Sequence, residues 1–262
     1  MDADTVLQDL VALAQRVPEL DLLQFKTLVS AEQYRRLYEL VERYVASGGT
    51  VLDWGCGNGH MAYALSAMGY VTHAYSIEVA PPPLADLMPD VPFTVTSDGD
   101  VVGLPFESAT FDAVVSVGVL EHVRETGGTE IGSLLEIRRI LKPTGIFICY
   151  HLPNRYSYID AVARLIPGAH HHRFRYTRQS ATDLCASAGL RVMEIQRYAA
   201  LPRNPWQVVP KAVGNSHGVA ALWEKLDRWT GAIVSPVVQN YYFIASPNDL
   251  PERQPPDKPG PA

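Results

Sequence analysis

The chain lacks most of the features that would assign it quickly. It has only three cysteines in 262 residues, Cys56, Cys149 and Cys185. Their number is odd and their spacing fits no metal pattern, so neither a disulfide framework nor a zinc module is indicated. No block of Lys and Arg stands out and the net charge is −6, so a nucleic-acid footprint is absent. No apolar run is long enough to span a bilayer. The longest stretch, Trp229 to Ala245, is interrupted by Pro236, Gln239 and Asn240. The start, Met1-Asp2-Ala3-Asp4, is acidic and carries no signal-peptide pattern, so a cytoplasmic protein is expected. No internal repeat is visible. What remains is a chain with 47% apolar and 19% charged residues, enough for one sizeable globular core.

Residues 1–47 read as amphipathic helices. Val6, Leu7, Leu10, Leu13 and Val17 recur at three- and four-residue steps, as do Tyr34, Leu37, Leu40, Val41 and Tyr44. Ser47-Gly48-Gly49 ends this segment. From Thr50 the pattern alternates between strand and helix. Strands are expected at 50–54, 70–77, 92–96, 111–117, 146–151, 190–195 and 241–245. Helices are expected at 58–68, 80–87, 132–141, 157–166, 179–188 and 219–229. Such alternation implies right-handed crossovers and a mostly parallel sheet. The tail, 247–262, is rich in proline and charge, has no apolar periodicity and reads as disordered. The expected division is therefore an N-terminal helical cap (1–47), an α/β domain (48–246) with acceptor-side insertions around 152–235, and the tail.

The segment Val51-Leu52-Asp53-Trp54-Gly55-Cys56-Gly57-Asn58-Gly59 places three alternating glycines between a strand and a helix. Gly55 permits a tight turn, Gly57 a close ligand approach, and Gly59 a helix start near the strand. The spacing is G-x-G-x-G. The dinucleotide fingerprint is one residue longer and delivers a pyrophosphate to the helix. Asp53 would repel a pyrophosphate, but it could accept a hydrogen bond from an ammonium group.

This segment resembles motif I of class I S-adenosylmethionine-dependent methyltransferases. Leu104-Pro105-Phe106 with Phe111-Asp112, then Val119-Leu120-Glu121-His122-Val123, then Leu141-Lys142-Pro143-Thr144-Gly145 resemble further segments of that family, in its order, over about residues 48–200. The resemblance implies a Rossmann-like, doubly wound α/β fold with a mostly parallel seven-stranded sheet. Its last strand is antiparallel, and the N-terminal helical cap is expected over the donor pocket. The cofactor it implies is S-adenosyl-L-methionine. The donor-binding residues it implies are Asp53, Gly55, Cys56, Gly57, Tyr75, Ser76, Glu78, Asp100, Val101 and Gly118. Asp53 and the glycine backbone would hold the methionine moiety and Asp100 the adenine, with Asp98 nearby as an alternative. The family's ribose-binding acid is missing, because Tyr75 stands at its place and Glu78 follows three residues later.

Methyl transfer from a sulfonium depends mainly on holding two reactants in line, and a base is needed only if the acceptor must lose a proton. His122 and His151 are the candidate catalytic residues. The run His170-His171-His172 reads either as a solvated loop or as an approach to the active site. Some quinone-pathway O-methyltransferases carry a second acid ahead of Leu-Glu-His. Here Val117-Gly118 occupies that place, so no catalytic metal is expected. The aromatics Tyr34, Tyr38, Tyr156, Tyr158, Tyr176, Tyr198, Trp206, Trp223 and Trp229 suggest an apolar or aromatic small-molecule acceptor, although most of them suit ordinary packing equally well. No nucleic acid and no membrane span are expected, and oligomeric state is unspecified. O-methylation in a biosynthetic pathway is the first expectation. A catalytically inactive binding or scaffold module is the alternative, and an NAD(P)-dependent oxidoreductase is disfavoured by the short glycine turn.

Overall fold

A computed structural model describes residues 1–77, 80–96, 100–168 and 171–248. Asp2 caps the first helix, its Oδ1 accepting the Thr5 N–H at 2.9 Å, and opens α1 (Ala3–Arg16). The periodic residues Val6, Leu7, Leu10 and Leu13 are all buried, as the three- and four-residue steps require. A short α2 (Leu28–Ala31) and then α3 (Arg35–Tyr44) complete the N-terminal segment.

The alternating part follows as β1 (Thr50–Trp54), α4 (His60–Ala67), β2 (Val71–Ser76), β3 (Phe93–Val95), β4 (Phe111–Val117), α5 (Glu130–Ile140), β5 (Leu141–Pro153), α6 (Tyr158–Ala163), α7 (Arg178–Ser187), β6 (Leu190–Tyr198), α8 (Lys211–Gly214), α9 (His217–Val234) and β7 (Asn240–Pro247). The seven strands lie in the order β3-β2-β1-β4-β5-β7-β6. Pairs among β1 to β5 are parallel, and β7 runs antiparallel between β5 and β6. The expected doubly wound sheet with an antiparallel last strand is therefore present. The strand order reverses between β1 and β4, and open α/β sheets bind ligands at the strand ends beside that reversal. There Trp54 pairs with both Tyr75 and Ser116, and Val117 with Tyr150, so four strand ends stand side by side.

Two apolar layers sandwich the sheet. Val51, Val115, Ile146 and Ile148 face α1, α3 and α4. Leu52, Val114, Phe147 and Cys149 face α5 and α7, among them Leu134, Ile137 and Cys185. Each fully buried aliphatic side chain of these layers contributes roughly 1.5–3 kcal/mol. The N-terminal helices share the first layer with the sheet, so they belong to the same core. All three cysteines are buried and outside any disulfide.

Several boundaries differ from expectation. The segment expected as a helix over 80–87 is only a turn of 3-10 helix at Ala85–Leu87, because three consecutive prolines supply no N–H donors. Strand β5 begins at Leu141, which pairs with Phe111, five residues earlier than the apolar run suggests. Within it the register against β7 shifts between Cys149 and Leu152, and His151 there has φ +62°. Pro247, expected in the tail, pairs with Leu190 as part of β7; residues 249–262 lie outside the described residues. Among the described residues no helix is long and apolar enough to cross a membrane.

Candidate active site

The glycine turn is tied to the neighbouring strand by its own backbone. The N–H groups of Gly55 and Cys56 both donate to the Tyr75 carbonyl, at 2.9 and 3.0 Å. Those two donors therefore shape the turn and are not free for a ligand. Gly55 has φ +79°, and a Cβ there would come within 2.5 Å of Val119 Cγ2. Gly57 has φ +50° and nothing within 4 Å of a Cβ position, so open space lies above it.

A cavity opens over this turn. Of the ten residues assigned to the donor, Gly55, Gly57, Tyr75, Ser76, Val101 and Gly118 line it. Asp53 lies beneath the turn, 1% exposed, with Oδ2 accepting the Ala62 N–H of α4 at 2.9 Å. Burial pushes its carboxyl up to about 7. Cys56 is likewise buried and outside the lining. Asp100 is exposed, and its Oδ1 accepts the N–H groups of Val102 and Gly103, both at 2.9 Å, which hold its pKa below the usual carboxylate range. The Thr96 hydroxyl donates to the Asp100 carbonyl. Glu78 and the alternative Asp98 lie outside the described residues. Tyr75 is buried, packs edge-on against Phe106 at 6.2 Å, and gives the end of β2 an aromatic wall where an acid was expected. An open glycine floor, a hydroxyl-bearing wall and the apolar Val101 fit an adenosyl amino acid.

A second cavity of about 340 Å³ adjoins the first, and Gly118 and His122 line both. The two histidines proposed from sequence differ sharply here. His122 has its Nδ1 2.8 Å from Glu125 Oε2 at the seam between the cavities. Among the described residues no carboxylate pairs with the His151 ring. Its Nδ1 faces the Tyr198 hydroxyl at 2.7 Å and Asn240 Nδ2 at 3.3 Å, while its backbone N–H donates to Tyr198 Oη at 2.9 Å. Burial lowers the His151 pKa to about 3, so the ring is neutral at physiological pH.

The rest of the second wall joins His60, which the sequence did not single out, to Glu121 and to His172 of the histidine run. His60 sits in the first turn of α4, with Asn58 Oδ1 2.8 Å from its Nδ1. Burial lowers its pKa to about 4. Glu121 is 3% exposed, and burial raises its carboxyl to about 8. His172, from the histidine run, has Nδ1 3.2 Å from Asp160 Oδ1. Glu121, His122 and His172 place ligand-type atoms within 4.8 Å of one another. Four buried polar atoms on this wall have no partner among the described residues: His60 Nε2, Glu121 Oε2, Arg203 Nε and Asn240 Oδ1. Buried groups left unpaired cost roughly 1–3 kcal/mol each, so such a wall is built for hydrogen-bonding contents. Of the nine aromatics named from sequence only Tyr34 lines it. Trp206 and Trp223 pack edge to face on each other at 5.0 Å instead. The N-terminal helices reach this second cavity through Gln33 and Tyr34, and none of their residues lines the first.

Comparison with known proteins agrees with the fold. A family model described as a methyltransferase domain matches residues 52–149. The ubiquinone biosynthesis O-methyltransferase of Xanthomonas campestris pv. campestris is 26% identical over 184 residues, covering 66% of this chain and 74% of that protein. A SAM-dependent methyltransferase from Archaeoglobus fulgidus superposes with a TM-score of 0.56 over 83% of this chain and 94% of that one, at 15% identity. The 1,6-didemethyltoxoflavin-N1-methyltransferase of Burkholderia thailandensis, solved with 1,6-didemethyltoxoflavin and S-adenosylhomocysteine, gives 0.53 over 83% and 79%, at 19% identity.

Proposed function

Because residues 52–149 form a class I, S-adenosylmethionine-dependent methyltransferase domain, we propose that this protein methylates an oxygen of a small, polar, hydroxylated molecule held in the second cavity. One observation carries the reading: the donor cavity and a hydrogen-bonding cavity share a wall at Gly118 and His122. Gly118 has φ +66° and no side chain, so nothing of its own stands between the two contents. The curated relative with an O-methyltransferase name supports oxygen as the acceptor atom. A place in a biosynthetic pathway follows from that relative by analogy.

When bound, S-adenosylmethionine supplies an electrophilic methyl on a good leaving group. The protein's task is then to align the acceptor and take its proton. His122 is placed for the second task. Glu125 at Nδ1 favours the tautomer whose Nε2 carries a lone pair, and its carboxylate stabilises the imidazolium formed on proton transfer. His151 and His60, both neutral, and Glu121, protonated at neutral pH, can only orient an acceptor through hydrogen bonds. Val117-Gly118 supplies no second acid ahead of Glu121-His122, and on that ground we read the reaction as metal-free.

The test is transfer of a labelled methyl from S-adenosylmethionine to a panel of polyols, catechols and hydroxy acids, with and without EDTA. Turnover unaffected by EDTA is expected. A strict need for added divalent metal, abolished by His172→Asn, would overturn the metal-free reading. Absence of donor binding at millimolar concentration would sink the enzyme reading itself. Tyr75 in place of the ribose acid favours one other reading, a donor-binding module without turnover. Donor binding with no product from any acceptor would select it.

A further inference from the structure

Beyond the acceptor cavity lies a third one, of about 260 Å³, which shares Gln33 and Arg203 with it. Its lining draws four arginines from separate parts of the chain: Arg36 on α3, Arg197 on β6, Arg203 in the loop that follows, and Arg228 on α9. Three carboxylates line it as well: Glu32 has a cation of its own, while Glu224 and Asp227 share one, so the lining keeps four arginines against three carboxylates. Glu32 pairs with Arg35 at 2.6 Å. Glu224 and Asp227 flank Arg203 at 2.6 and 3.5 Å.

Arg36, Arg197 and Arg228 have no ion pair among the described residues. Arg36 lies 5.9 Å from the Tyr242 ring centroid, and Glu39, one turn along its own helix, is beyond ion-pair distance. Arg197 donates from Nε to the Tyr241 hydroxyl at 3.1 Å. Arg36 and Arg228 are exposed at the mouth, while Arg203 is 7% exposed at the base, where its Nε has no partner. Three uncompensated guanidinium groups around a concave surface focus positive potential into it. The guanidinium fork matches carboxylate and phosphate oxygens.

We propose that this cavity is an anion subsite: it holds a carboxylate or phosphate group of the acceptor while the hydroxyl to be methylated reaches His122 through the shared wall at Gln33 and Arg203. The proposal rests on the methyltransferase reading and narrows its substrate class to hydroxylated oxyanions. It also gives a use to an arginine-rich surface in a chain whose net charge is −6.

Calorimetry on the full chain, saturated with S-adenosylhomocysteine, tests it with inorganic phosphate, succinate and neutral succinamide at matched ionic strength. Saturable binding of phosphate or succinate is expected, with succinamide at least ~10-fold weaker. The anion that binds identifies the source, a phosphate ester or a carboxylic acid. The double variant Arg197→Gln/Arg228→Gln should lose ~10-fold or more in that binding and keep its affinity for S-adenosylhomocysteine. Arg197→Lys, which keeps the charge, should recover part of it. The proposal is overturned if neither anion binds saturably, if succinamide binds as well as succinate, or if the double variant binds anions like the parent. Failure of S-adenosylhomocysteine to bind the parent would be a separate result, against the methyltransferase reading.

Discussion

Gly55 and Gly57 stand two residues apart in a turn closed by hydrogen bonds to the next strand. His60, His151 and Arg203, across the shared wall at Gly118, come from a helix start, a strand bulge and a late loop. The donor wall is thus shaped mainly by backbone conformation, and the acceptor wall by side chains collected from distant positions. A wall made of backbone tolerates little substitution and binds one invariant ligand. A wall made of side chains can change its ligand one residue at a time.

That contrast can be broken by experiment. Gly55→Val should do the largest damage. Left-handed strain and the clash with Val119 together cost about 4 kcal/mol, so S-adenosylhomocysteine affinity should fall near 1000-fold in calorimetry. A milder loss would mean the turn is more plastic than its geometry implies. His122→Gln should lower kcat about 100-fold and leave S-adenosylhomocysteine affinity unchanged. Equal loss of both would move His122 wholly to the donor side.

Asp53 and Glu121 give a matched pair of buried acids, one beneath the donor turn and one in the acceptor wall. Their carboxyls are raised from 3.8 to about 7 and from 4.5 to about 8. The fold therefore favours both protonated forms. That contribution is fully present below the ordinary carboxylate range. It is lost as pH rises, over about 3.8–7 for Asp53 and 4.5–8 for Glu121. Asp53→Asn and Glu121→Gln should each flatten the corresponding slope by up to about 1.4 kcal/mol per pH unit in urea unfolding measured across pH. An unchanged slope would show that water reaches the carboxyl. The smallest effect is expected for Tyr75→Phe, which removes one hydroxyl from the donor wall. It should weaken S-adenosylhomocysteine binding by about 1 kcal/mol, or roughly fivefold. No change would mean the donor does not use that hydroxyl.

The same contrast explains what was legible in the sequence. The sheet order, the glycine turn and residues 55, 57, 75, 76, 101 and 118, which line one cavity, follow from patterns spanning a few residues. Asp53 was read as a ligand because its place in the motif is visible and its burial is not. His172, Arg203 and Asn240 carried no local signal as a group, because only the closed sheet brings them to one wall. The expected aromatic lining failed for a related reason. Composition counts tyrosines and tryptophans, but packing decides which of them face a cavity. Helix boundaries erred where proline removed donors, at 81–83.

The bulge in β5 has a consequence for how this scaffold can vary. Side chains along a strand alternate, so Phe147 and Cys149 point to one layer and Ile148 and Tyr150 to the other. Leu152 joins the layer of Cys149 although three residues separate them. His151 is the residue that flips the parity. Deleting it would restore plain alternation, with Leu152 still in the layer of Cys149, but would remove the ring that meets Tyr198 and Asn240. A one-residue deletion at the bulge is thus a change the two layers can absorb and the acceptor wall cannot.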